Sequence, residues 1–230
     1  MRYSFTYFLF LLPLFFVGCN IKKEQPLFEL MEETGIHFTN QVEDGKKENS
    51  FLFRNFYNGG GVAIGDINND GLADVFFTSN QGTNKLYLNK GNFKFEDISS
   101  KSGIEGKKAW STGVVMVDIN DDGYLDIYVL DAGSNIDAIR KSQLYINNKN
   151  NTFTEKAAEY NLADTGITTH VAFFDYDKDG DLDCYILNNS FLVKPYYRIY
   201  PKYYSKQMRY QNINRVSLLA VHFFVQKNVF

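Results

Sequence analysis

The stretch Gly61-Val-Ala-Ile-Gly-Asp-Ile-Asn-Asn-Asp-Gly-Leu-Ala-Asp-Val-Phe-Phe77 recurs twice without gaps. It returns as Gly113-Val-Val-Met-Val-Asp-Ile-Asn-Asp-Asp-Gly-Tyr-Leu-Asp-Ile-Tyr-Val129 and as His170-Val-Ala-Phe-Phe-Asp-Tyr-Asp-Lys-Asp-Gly-Asp-Leu-Asp-Cys-Tyr-Ile186. Asp66, Asp118 and Asp175 stand 52 and 57 residues apart, a period that marks repeated structural units. In each copy a run of β-branched and aromatic residues flanks a polar turn, which reads as a strand–turn–strand hairpin.

The repeat extends outward from these hairpins. Leu86-Tyr-Leu-Asn89 matches Leu144-Tyr-Ile-Asn147, and each is followed by a phenylalanine, Phe95 or Phe153. Phe95 leads to Gly103-Ile104, Phe153 to Asn161-Leu162, and near the N-terminus Phe28 leads to Gly35-Ile36, a piece of an earlier unit. About four short apolar runs per unit predict an all-β fold of β-propeller blades. Gly59-Gly60-Gly61 reads as a flexible entry to the first strand, and Cys184, within an apolar run, as a small buried hydrophobe.

Each turn spells Asp-x-Asn/Asp-x-Asp-Gly-x-x-Asp. The candidate ligands are Asp66, Asn68, Asp70, Leu72 and Asp74; Asp118, Asn120, Asp122, Tyr124 and Asp126; and Asp175, Asp177, Asp179, Asp181 and Asp183. Alternating side-chain oxygens, with a backbone carbonyl at the seventh position (Leu72, Tyr124, Asp181), suit a hard cation of six to eight oxygen ligands, and Ca2+ is the cofactor expected. Gly71, Gly123 and Gly180 permit a sharp bend where a side chain would clash. An EF-hand is excluded on two counts. Its twelfth position requires Glu, but Phe77, Val129 and Ile186 stand there. Its helical flanks are also replaced by strand-forming runs. Such Asp/Asn/Gly turns also occur singly without metal, but here three share one spacing.

On these residues the chain resembles FG-GAP or VCBS-type repeats, found in integrin α-subunit propellers and bacterial surface proteins. Asn58-Gly-Gly-Gly-Val-Ala-Ile-Gly-Asp-Ile-Asn-Asn-Asp-Gly71 looks most like bacterial members that end in an ASPIC/UnbV module. The resemblance covers residues 28–189 and implies a seven-bladed propeller with calcium in outer hairpin loops. The chain departs from that pattern in offering about three units and no recognisable ASPIC/UnbV segment.

The N-terminus combines Arg2, an apolar run from Phe5 to Val17, and Phe16-Val17-Gly18-Cys19. The run is shorter than the roughly 20 residues that span a bilayer, so 1–18 reads as a signal peptide. Its ending resembles a bacterial lipobox, which implies lipidation of Cys19, a lipid-anchored linker at 19–27, and export to the bacterial membrane. Asn20 in place of Asp points to the outer membrane. The alternative is an ordinary signal peptide with an incidental cysteine. With Cys19 acylated, Cys184 has no disulfide partner.

Charge changes abruptly near Ser190. All 27 acidic residues precede it, while 190–230 holds seven Lys or Arg. The repeat pattern also stops, since no Leu-Tyr-x-Asn run follows Asp183. The segment 190–230 reads as an aberrant or truncated blade, with a basic, aromatic nucleic-acid or membrane patch as the alternative.

The net charge of −3 gives no reason to expect nucleic acid. His37, His170 and His222 form no metal or triad spacing, there is no Gly-x-Ser-x-Gly, and most regularly placed Asp residues are assigned to calcium. The sequence therefore points to a non-catalytic binding or adhesion module for an extracellular protein or glycan, attached to the membrane through its N-terminal lipid. The alternatives are a truncated fragment without function and a polysaccharide-active enzyme.

Overall fold

Alternating apolar and polar residues on either side of each acidic turn give antiparallel hairpins, and the computed structural model shows how these combine. It describes residues 26–46, 48–51, 55–105, 110–133 and 140–189, and the backbone of 222–226. The chain divides into units 1–32 and 33–230. In the first, Leu27, Phe28 and Leu30 are exposed and residues 26–32 form no strand.

The second unit contains two four-stranded antiparallel sheets and a third sheet of three described strands. The first sheet is β1 (Val62–Gly65), β2 (Asp74–Phe77), β3 (Lys85–Asn89) and β4 (Phe95–Asp97), and a single-turn helix, α1 (Ser99–Ser102), follows it. The second is β5 (Ser111–Val117), β6 (Asp126–Asp131), β7 (Gln143–Asn147) and β8 (Phe153–Glu155). The third pairs β9 (Ile167–Phe174) with β10 (Asp183–Asn189), and β10 with β11 (His222–Gln226). The fold is all-β, built of propeller-type blades, with the polar turns joining strands one and two of each.

Two apolar cores bind the blades face to face. Ala63, Phe76, Leu86 and Leu88 of the first blade meet Ile127, Val129 and Tyr145 of the second. The opposite face of the second blade (Tyr128, Leu130, Leu144, Ile146) meets Val171, Cys184 and Ile186 of the third. Each large side chain so buried contributes about 1.5–3 kcal/mol. Ile104 and Leu162, in the connections between blades, are fully buried in these cores, which explains the recurring Gly-Ile and Asn-Leu pairs. The preceding Gly103 and Asn161 take positive φ, 77° and 55°.

The glycine entry to β1 is a close approach, not a flexible joint. A Cβ on Gly60 would lie 2.1 Å from the Thr78 carbonyl oxygen, and one on Gly61 would lie 2.9 Å from Gly113 Cα. Thr112 and Thr169, at the position of Gly60, form bulges beside Gly113 and His170. The Thr112 hydroxyl bridges blades by donating to the Thr168 carbonyl at 2.7 Å. Cys184 is buried and free, and burial pushes its thiol up to about 12, so it packs as a neutral hydrophobe.

Candidate metal centre

The three loops share one backbone. The fourth residue of each (Asn69, Asp121, Lys178) has φ of 59°, 52° and 61°, and the sixth (Gly71, Gly123, Gly180) has φ of 84°, 84° and 97°. No atom would lie within 4 Å of a Cβ on any of these glycines. The demand for glycine therefore comes from the left-handed backbone itself and not from a clash with neighbours.

The first carboxylate of each loop organises the turn. Asp66 accepts from the Asp70 N–H (3.2 Å) and the Gly71 N–H (2.7 Å). Asp118 accepts from Asp122 (3.0 Å) and Gly123 (2.8 Å), and Asp175 from Asp179 (3.2 Å) and Gly180 (3.1 Å). The fifth residue then receives the N–H of the seventh: Leu72 to Asp70 at 2.8 Å, Tyr124 to Asp122 at 3.0 Å, Asp181 to Asp179 at 3.0 Å. These bonds curl the turn so that Asp and Asn side chains collect on its inside.

The last carboxylate lies deeper. Asp74, Asp126 and Asp183 are all buried. Each accepts the backbone N–H of the loop's second residue: Ile67 at 3.0 Å, Ile119 at 3.1 Å, Tyr176 at 2.8 Å. In the first two blades the other oxygen accepts from the third strand, Asn89 N–H to Asp74 and Asn147 N–H to Asp126, both at 2.7 Å. Burial raises the Asp74 carboxyl above its ordinary range and pushes Asp126 up to about 6; the backbone donors oppose this, and the neighbouring loop carboxylates add to it.

Asp175, Asp177 and Asp183 offer carboxylate oxygens within 4.8 Å of one another. In the first two loops the third position is an amide, and its NH2 donates to the fifth residue: Asn68 to Asp70 at 3.0 Å, Asn120 to Asp122 at 3.1 Å. All of these candidate ligand atoms are oxygens, a set that fits a hard divalent cation. Such an ion would reverse the repulsion among the carboxylates. Cys19 lies outside the described residues. No helix among the described residues is long and apolar enough to cross a membrane.

The asparagine of the Leu-Tyr-x-Asn repeat acquires a role only in the fold. Asn89 donates from its amide to the Ala73 carbonyl at 2.9 Å, and Asn147 to the equivalent Leu125 carbonyl at 3.0 Å. These residues clamp the ends of the first and second loops. Their recurrence at the end of strand three is the signal for it in the sequence, though the separation from the loop differs between the two blades.

Residues 66–129 and 132–186 match the FG-GAP-like repeat family. Part of the chain is also similar to cartilage acidic protein 1. The Xenopus tropicalis protein is 40% identical over 74 residues, which is 32% of this chain and 11% of that protein. The Mus musculus protein is 35% identical over 69 residues (30% and 11%), and the Homo sapiens protein 35% over 72 (31% and 11%). The match thus spans about a ninth of these relatives' length. With its repeats matched over more than half of its residues, the chain belongs to the FG-GAP-like repeat family.

Proposed function

We propose that this chain is a calcium-stiffened array of propeller blades that acts as a non-catalytic binding or adhesion module at the bacterial surface. The observation that carries this reading is the set of three loops of one backbone conformation, the third of which brings three carboxylates within 4.8 Å of one another. FG-GAP-like repeats are typically non-enzymatic, and broad blade edges suit an extracellular protein or glycan. Within the family we favour the VCBS-type, ASPIC/UnbV-associated bacterial proteins on the strength of the Asn58–Gly71 stretch. A lipid on Cys19, after removal of residues 1–18, would hold the module at the outer membrane.

Calcium is expected to act as a folding ligand. Extracellular modules bind it with dissociation constants of about 0.1–1 mM. A 0.1 mM site at about 1 mM free calcium adds about 1.4 kcal/mol, and three such sites add about 4 kcal/mol. EGTA should therefore lower the melting temperature by many degrees, and readdition of calcium should restore it. Superimposable melting curves with and without calcium would refute the reading. For the anchor, Cys19→Ser should abolish incorporation of a fatty-acid analogue; incorporation that persists would remove the lipid from the proposal.

A further inference from the structure

Two hydrogen bonds tie the first acidic loop to the second. The Asn69 amide, between ligand positions Asn68 and Asp70, donates to the Gly123 carbonyl at 2.8 Å, between ligand positions Asp122 and Tyr124. The buried Asn147 amide donates to the Ile67 carbonyl at 2.8 Å as well as to Leu125, while its N–H holds Asp126. Ile67 in turn donates its N–H to Asp74. One connected set of bonds therefore runs from Asp74 through Ile67 and Asn147 to Asp126, and a second runs directly from loop to loop.

Among the described residues the second and third loops show no such arrangement. Asp121 occupies the position of Asn69, and a carboxylate has no N–H to donate, so the bond from Asn69 to Gly123 has no counterpart there. Among the described residues no third-strand asparagine supplies the last blade with an equivalent of Asn147. Among the described residues the blade cores repeat along the chain, but these two loop-to-loop bonds do not.

We infer that the first and second loops bind calcium as a coupled pair, with Asn69 and Asn147 as the positioning residues. This rests on the calcium reading proposed above. Without an ion, repulsion among the carboxylates opens each loop. An ion in the first loop fixes the backbone around Asn69 and Ile67, and these atoms then hold Gly123 and Asn147 in the geometry the second ion requires. Part of the second loop's ordering entropy is lost before its ion arrives, which is positive cooperativity. By linkage the second ion helps the first by the same factor. One exposed and one buried bond set that factor at about three- to tenfold.

The test is calorimetric titration of the full chain with calcium, with the third loop silenced by Asp175→Ala. Two ions should bind, the second more tightly than two independent equal sites allow. Asn69→Gly removes the amide donor and keeps the backbone free to adopt its positive φ. It should leave two ions bound and cut the coupling several-fold. In the reverse direction, Asp121→Asn with the first loop silenced by Asp66→Ala should create coupling between the second and third loops. Two ions binding independently in the Asp175→Ala chain, or coupling unchanged by Asn69→Gly, would overturn the inference and leave calcium binding intact. Absence of any calcium binding to the unaltered chain would overturn both.

Discussion

The first and third hairpins enclose loops that are nearly identical from within and differ in what surrounds them. In both, the first carboxylate accepts the N–H groups of the fifth and sixth residues, the fourth and sixth residues are left-handed, and the last carboxylate caps the second residue's N–H. In the first blade Asp74 is also gripped by Asn89 of strand three, and the loop is tied to its neighbour through Asn69 and Asn147. Among the described residues no third-strand asparagine grips Asp183 in that way. In its place the third loop carries a carboxylate, Asp177, where the first has an amide, and it brings three carboxylates within 4.8 Å. A nine-residue motif is thus sufficient to set the turn, whereas its ties to the surroundings come from residues the motif leaves open: Asn69 at its fourth position, and Asn89 and Asn147 beyond it.

The sharpest way to break this comparison is to remove the external grip. Asn147 is 4% exposed and donates to two backbone carbonyls on two different blades. Asn147→Ala strands both carbonyls, at about 1–3 kcal/mol each, so a loss of about 3–4 kcal/mol is expected by urea unfolding. Asn89→Ala frees one carbonyl at a partly exposed position and should cost about 1 kcal/mol. Equal losses would mean that the bond between blades adds nothing.

This contrast also marks how far the residues can be read in order. The hairpins, their turn positions and the four-strand unit are legible because period-two patterning and the Asp-Gly turn are local signals. Cys184 is legible for the same reason. The role of Asn147 is not, because its second acceptor, Ile67, lies 80 residues away in sequence. The glycines at 60 and 61 look flexible in the sequence because the atoms that exclude a side chain belong to Thr78 and Gly113. The third strand of the last sheet, β11, escapes the repeat pattern because it carries no Leu-Tyr-x-Asn signature.

A second difference lies at the opposite ends of the strands. Five residues beyond the last loop carboxylate stand Ser79, Asp131 and Asn188, all buried. Asp131 accepts from the Ser111 hydroxyl at 3.1 Å, as Asn188 accepts from Thr168 at 2.8 Å, but only Asp131 ionises. Burial pushes its carboxyl up to about 6, although the Ser111 and Lys141 donors and the nearby Arg140 charge oppose the rise. A folded value above the unfolded one means that the folded state holds the proton more tightly, so this group's contribution to stability falls as pH climbs from about 4 to about 6. A rise of that size corresponds to about 2–3 kcal/mol. In buffer and protein freed of calcium beforehand, Asp131→Asn should reduce the pH dependence of the melting temperature across that window. A profile parallel to that of the unaltered chain would show that the second blade tolerates this charge at no cost.

The smallest effect separates the second loop from the first. Two residues beyond the clamping asparagine, the first blade has Gly91 and the second Lys149. The Lys149 ammonium lies 3.5 Å from Asp122 Oδ2 and 3.4 Å from the Asp122 carbonyl oxygen, and 5.2 Å from the centre of the Tyr124 ring. It therefore stands beside two ligand positions as a tethered cation, repelling any divalent ion that enters. The lysine is about half exposed, so solvent and salt weaken the repulsion to about 0.5–1 kcal/mol. Carboxylate count places the third loop, with four, above the first two, with three each, and Lys149 places the second below the first. The expected order of intrinsic affinity is third, first, second, measured in chains where the other two loops carry Asp→Ala at their first position. Lys149→Met keeps the aliphatic contact with Tyr124 while removing the charge, and it should raise second-loop affinity about two- to fivefold, to the level of the first. The gain should shrink at high ionic strength, because screening already removes part of the repulsion in the unaltered chain. If Lys149→Met leaves the second loop's affinity where it was at low salt, the ammonium swings clear when calcium enters, and the difference between the two loops then lies in other residues, Asn69 against Asp121 first among them.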